Sequence, residues 1–85
     1  QYTKPNVSLS IFPNPVKHTL HLQIIDYQKH NIDYKLYNIQ GKYITGQKIQ
    51  SIRSKINFNN LPPNTYLLHL TDNDQKIKIF RIIKN

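Results

Sequence analysis

The sequence predicts an all-β fold, a sandwich or barrel of six or seven short strands. Three observations predict it. Ala and Glu are absent, which removes two of the best helix formers, while Ile and Tyr, which favour strands, are abundant. Apolar residues recur at every second position in short runs, and no segment carries a helical period. Asn, Pro, Gly and Asp punctuate these runs at roughly 8–12 residue intervals, the spacing expected of a sandwich or barrel.

Each element follows in order. Residues 1–6 are polar, end in Pro5-Asn6 and read as a linker. Val7, Leu9 and Ile11 alternate with Ser8 and Ser10, a half-buried strand. Pro13 and Pro15 end it, since neither can donate to a ladder, and Asn14 between them signals a turn. Leu20, Leu22 and Ile24 alternate with Thr19, His21 and Gln23 in a second strand, and the polar stretch 26–31 reads as a loop.

Asp33 to Ile39 is a third strand, with Tyr34 and Leu36 on one face and Tyr37 and Ile39 on the other. With apolar residues on both faces it is expected to lie between packed layers. Asn38 to Gly41 forms a tight hairpin turn, with Gly41 taking positive φ. Lys42 to Lys48 returns as a fourth strand, in which Gly46 marks a bulge or a close approach. Ser54 to Asn59 is a fifth strand carrying Ile56 and Phe58, and the Asn- and Pro-rich stretch 59–64 turns sharply.

Tyr66, Leu68 and Leu70 define a sixth strand that ends at Asp72-Asn73-Asp74. Gln75 to Ile83 is the last. It sets Ile77, Ile79 and Ile83 on one face and Lys76, Lys78, Phe80 and Ile82 on the other. The last two strands straddle a tight turn and are expected to pair as an antiparallel hairpin.

The 85 residues suffice for one domain that buries only about 60–65% of its unfolded surface, so its core is thin. There is no Cys, so no disulfide and no thiol chemistry. The net charge of +8 attracts polyanions or acidic protein surfaces, although the Lys are scattered. No apolar run approaches the ~18 residues of a membrane span. The first residues lack the apolar region of a signal peptide and the chain lacks an initiating Met, which suggests a fragment of a longer precursor.

Catalytic constellations are missing from the pattern. His18 and His21 are three apart on a predicted strand and point to opposite faces, so they do not chelate together. His30 falls in a loop, and His69 lies on the outer face of its strand. Asp72-Asn73-Asp74 lacks the further oxygen ligands, Gly and distal Glu of a calcium loop and reads as a hairpin turn. The four carboxylates, Asp26, Asp33, Asp72 and Asp74, all sit at loops or strand ends and form no acid/base pair. Gly41 and Gly46 are the only glycines, too few for a phosphate-cradling loop. An enzyme is not expected, nor is a metal or cofactor. Lys35, Lys42, Tyr34, Tyr37 and Tyr43 interleave as in a nucleic-acid surface, but ordinary strand alternation explains them, and no nucleic-acid partner is expected.

The C-terminal strand is more pointed. Lys76, Lys78, Arg81 and Lys84 line the nine residues 76–84. A terminal strand with free edge groups can be read by strand addition into an acidic groove, or its Lys can simply guard the edge against aggregation. Taken alone, the residues favour the guard. Pairing of two copies through such an edge is a further expectation.

In order, Phe12-Pro13-Asn14-Pro15, Leu20-His21-Leu22, Leu36 to Lys42, Leu61 to Tyr66 and Lys76 to Lys84 resemble the type A C-terminal sorting domain of the bacterial type IX (Por) secretion system. Each motif alone is weak; five in order at this spacing are specific. The match covers residues 8–85. The family usually has Gly where this chain has Asn64, and Asn is the next most tolerant residue for positive φ.

The resemblance implies an Ig-like antiparallel β-sandwich of about seven short strands, spanning residues 7–85 after a linker, 1–6, to an upstream cargo. It implies a signal that passes the cargo through the periplasm and an outer-membrane translocon. A sortase then removes the domain and leaves the cargo on the surface, attached to lipopolysaccharide, or outside the cell. The producer would be of the Bacteroidetes. On this reading Lys76, Lys78, Ile79, Ile82, Ile83 and Lys84 serve recognition by the translocon. Pro13, Asn14, Pro15, Gly41, Asn64 and Tyr66 hold the fold. The alternative from another class is an accessory module that binds carbohydrate or a polyanion and stays on a secreted enzyme.

Overall fold

Period-two alternation, interrupted in two strands, builds the computed structural model, which describes residues 8–25 and 31–85. Seven strands follow one another: β1 Ser8–Phe12, β2 Thr19–Ile25, β3 Ile32–Asn38, β4 Tyr43–Lys48, β5 Arg53–Asn57, β6 Asn64–Asp72 and β7 Gln75–Lys84. The expected linker, the contribution of Val7 to the first strand, and the loop over 26–30 with His30 lie outside the described residues. Among the described residues there is no helix.

The strands form two antiparallel sheets, ordered β1-β2-β5 and β4-β3-β6-β7. This three-plus-four division is that of an Ig-like sandwich. The inward residues alternate as expected. Leu20, Leu22 and Ile24 of β2 and Ile56 of β5 face Ile32, Tyr34 and Leu36 of β3, Tyr66, Leu68 and Leu70 of β6 and Ile82 of β7. Val16, Ile49 and Phe58 fill the ends from outside the strands. Each buried Leu, Ile or Phe contributes about 1.5–3 kcal/mol of transfer free energy.

The turns take the chemistry their residues allow. Asn38 closes the β3–β4 turn with its side chain: its Oδ1 accepts from the N–H of Gln40 and of Lys42, both at 2.9 Å. Gly41 has φ 88° there, as expected. Asn73 (φ 51°) and Asp74 (φ 68°) make the two-residue β6–β7 turn, matching the primed turns that suit twisted hairpins. Tyr66, at the start of β6, donates its hydroxyl to the Pro62 carbonyl at 2.6 Å. That is the tyrosine corner of Ig-like sandwiches, and it anchors the crossing from one sheet to the other.

Several expectations are corrected. Asn64 is extended as the first residue of β6 and takes no positive φ; its Oδ1 accepts from the Thr65 N–H at 2.8 Å. The fifth strand ends at Asn57, and Phe58 lies beyond it, fully buried, with its N–H on the His18 carbonyl. His18 precedes β2, so its spacing from His21 sets no strand faces.

The third strand does lie between neighbours within its sheet, but only one of its faces is covered by the second sheet. Ile39 is exposed in the turn. Gly46 is a close approach: a Cβ there would stand 2.6 Å from the Tyr34 carbonyl oxygen. The register shift in β3–β4 falls elsewhere, leaving Ile44 as the extra residue.

A second shift makes Ile77 the extra residue of β7. It turns Ile77 onto the core, away from the face of Ile79 and Ile83, and sets Lys76 opposite Thr71 rather than in line with Phe80 and Ile82. Alternation counted straight through the strand places both residues on the wrong sides.

Candidate functional site

β7 is an edge strand, bonded on one side to β6. Its free side is half closed by the segment after β1. Phe12-Pro13 and Asn14-Pro15 are both cis, and the segment runs against the C-terminal half of β7. Asn14 Nδ2 donates to the Arg81 carbonyl at 2.9 Å, and Asn14 Oδ1 accepts from the Ile83 N–H at 2.9 Å. The side-chain amide thus imitates the two bonds a neighbouring strand would make. Val16 continues with its backbone: its N–H donates to the Ile83 carbonyl at 2.8 Å, and its carbonyl accepts from the Asn85 N–H at 3.0 Å. Val16 and Lys84 form a parallel bridge. Proline cannot supply such donors, so Asn14 and Val16 carry the contact while Pro13 and Pro15 shape the approach.

The six residues expected to be recognised divide between surface and core. Lys76 and Lys78 are exposed, with Lys78 Nζ 5.5 Å from the centre of the Phe80 ring. Ile79 and Ile83 are each 45% exposed on the outer face of the four-stranded sheet. Ile82 is fully buried. Lys84 is nearly so; its ammonium donates to the Leu61 carbonyl at 3.1 Å and to the Asn85 carbonyl at 3.3 Å. A buried ammonium needs such partners, and here its stem covers apolar surface while the head reaches carbonyls.

Sequence reasoning did not foresee the company of Ile79 and Ile83. The outer face sets His69 beside Ile79 and Leu67 beside Arg81. Tyr37 joins them, with its ring 4.6 Å from His69 and 5.9 Å from Tyr43 in an edge-on contact. Burial, and then the Lys76 ammonium, hold the His69 imidazole below its ordinary pKa. Burial raises the Tyr34 phenol, with Tyr43 adding, and also raises that of Tyr66. Among the described residues the face is an apolar and aromatic strip flanked by Lys35, Lys48, Lys76 and Arg81, with Asp33 its one carboxylate. The regular parity of Leu67, His69, Ile79 and Arg81 was the available signal; the bulge at Ile77 hid it.

No helix among the described residues is long and apolar enough to cross a membrane. A comparison with curated proteins returns no match. The family model described as "Secretion system C-terminal sorting domain" matches residues 10–85. That span runs from β1 through the Pro13-Asn14-Pro15 segment to the last strand it closes, so the motifs that resemble the family are also the parts that bind one another. The chain belongs to the secretion-system C-terminal sorting domains and is a sorting signal of type IX secretion.

Proposed function

We propose that the translocon reads this signal on β7, through Lys76, Lys78, Ile79 and Ile83, and that Ile82 and Lys84 act in recognition by holding the strand in place. The observation that carries the reading is the split of β7: one half is bound by Asn14 and Val16, while Lys76, Ile79 and Ile83 stand exposed on its outer face and Lys78 stands exposed at the rim of its inner face. Basic side chains steer association toward an acidic surface, and exposed Ile supplies area once contact is made. The domain catalyses nothing. Residues 1–6 link it to the cargo and lie near the bond a sortase cuts, after which the cargo stays at the cell surface or leaves the cell.

The test is a periplasmic reporter fused ahead of residues 1–85 in a type IX-competent bacterium. Reporter at the surface or in the medium, without the domain, is expected. Reporter held in the periplasm with the domain attached would refute the reading. Removing Gln75 to Asn85 from the fusion should trap the reporter in the periplasm.

A further inference from the structure

The ladder alternation shows which part of the β7 edge is open. In an antiparallel pair, successive residues point their N–H and C=O alternately toward the partner strand and away from it. The Arg81 carbonyl and both backbone groups of Ile83 point away from β6, onto Asn14 and Val16. The register is unbroken from Asn64 and Lys84 back to Leu70 and Lys78. Ile79, two residues before Arg81, therefore directs both its N–H and its C=O away from β6, as Arg81 directs its N–H. These three groups have no backbone partner among the described residues.

We infer that the open half of β7, centred on Ile79, is a strand-addition site for an extended acidic segment of another protein. The inference rests on the sorting reading and names how the address is contacted. The partner donates to the Ile79 carbonyl and accepts from the Ile79 and Arg81 N–H groups, extending the four-stranded sheet by a fifth strand. Its chemistry follows from the flanks. Lys76, Lys78 and Arg81 surround the open groups, and no carboxylate of β7 offsets them. A second copy of this chain fits poorly. Antiparallel pairing of two copies about Ile79 would bring Arg81 of each between Lys76 and Lys78 of the other, with no carboxylate of either strand to offset them, and like charges gathered on a ladder destabilise it. Lys at an edge turns away neutral and basic strands, but attracts an acidic one. Guard and address are then the same residues. Asn14 and Val16 fix the register by closing every site beyond Arg81.

Ile79→Pro is the discriminating change. The missing N–H points to the open side, so the β6–β7 ladder keeps its bonds, while the ring blocks an incoming strand. The reporter fusion is compared as wild type, Ile79→Pro and Ile79→Thr, with thermal unfolding and sedimentation of each isolated domain. Surface reporter should fall about tenfold or more in Ile79→Pro, as expected when a ladder bond is lost and the edge is sterically closed. It should change little in Ile79→Thr, which keeps both backbone groups. Equal export of wild type and folded Ile79→Pro would overturn the inference while leaving the sorting reading intact. Periplasmic retention of the wild type would overturn both. A wild-type dimer that Ile79→Pro converts to monomer would assign the edge to a second copy and overturn the acidic partner. If Ile79→Pro fails to fold, the Lys76→Glu/Lys78→Glu fusion decides: retention supports the inference and normal export overturns it.

Discussion

Asn14 Oδ1 accepts the Ile83 N–H at 2.9 Å across 69 positions of the chain. With the Arg81 carbonyl on Nδ2, one amide side chain fastens the first sheet's exit to the last strand of the second. An Asn between two prolines reads locally as a turn. Its use here is long-range, and it explains why the segment and the basic C-terminal strand occur together.

Asn14→Ala should loosen β7 without disturbing the core. Two hydrogen bonds are lost and the Ile83 N–H is left to water, a cost of about 1–2 kcal/mol for partly exposed partners. Amide hydrogen exchange at Ile83 should accelerate, while Leu22, buried in β2 of the other sheet and bonded to no part of β7, should keep its protection. Asn14→Asp keeps the acceptor but sets a carboxylate oxygen against the Arg81 carbonyl. It should recover the Ile83 protection only in part.

Tyr66→Phe isolates the tyrosine corner. The ring stays, packed edge-on to Phe58 at 5.8 Å, and only the 2.6 Å bond to the Pro62 carbonyl is lost. Stability should fall by about 0.5–1.5 kcal/mol, or roughly 4–8 °C in melting temperature per kcal/mol for a domain of this size. A differential scanning calorimetry comparison with wild type checks it. An unchanged melting temperature would show that the corner does not anchor β6.

The two glycines should fail for different reasons. Gly41→Ala meets nothing within 4 Å, but its φ of 88° places a Cβ in the left-handed region, costing about 1–2 kcal/mol. Gly46→Ala has no such φ, yet its Cβ would sit 2.6 Å from the Tyr34 carbonyl. Backbone must move to admit it, a cost of roughly 1–3 kcal/mol. Urea unfolding measures both. Gly41→Asn should restore most of the loss at 41, because Asn tolerates positive φ, whereas Gly46→Asn should be worse than Gly46→Ala.

What was legible in the sequence is what depends on near neighbours. Leu20, Leu22 and Ile24 announce β2 by alternation, and Gly41 and Asn73-Asp74 announce their turns by their tolerance of positive φ. The extra residues Ile44 and Ile77 leave no mark in a period-two pattern, because a bulge is set by the partner strand. So the faces of β7 were misjudged around Lys76 and Ile77. Lys84 looked like part of a basic stripe, and its burial could be known only from the Leu61 carbonyl 23 residues away. Ile82 and Ile83 are alike in sequence, and only the sheet makes one core and the other surface.

His69 gives the fold a dependence on pH whose sign is set by burial. Its imidazole lies against Tyr37, and burial first and Lys76 second keep its pKa below the ordinary value. The folded state therefore prefers the neutral ring, and the unfolded state binds the proton more readily. Stability from this group is fully present above the unfolded pKa near 6.5, declines as pH falls below that, and is lost by the time pH passes the folded value. Melting temperature should accordingly drop between pH 7.5 and pH 5. His69→Gln removes the titration and should flatten the drop, and Lys76→Gln should reduce it by removing the repelling ammonium. A His69→Gln domain that loses as much stability on acidification as wild type would place the dependence elsewhere.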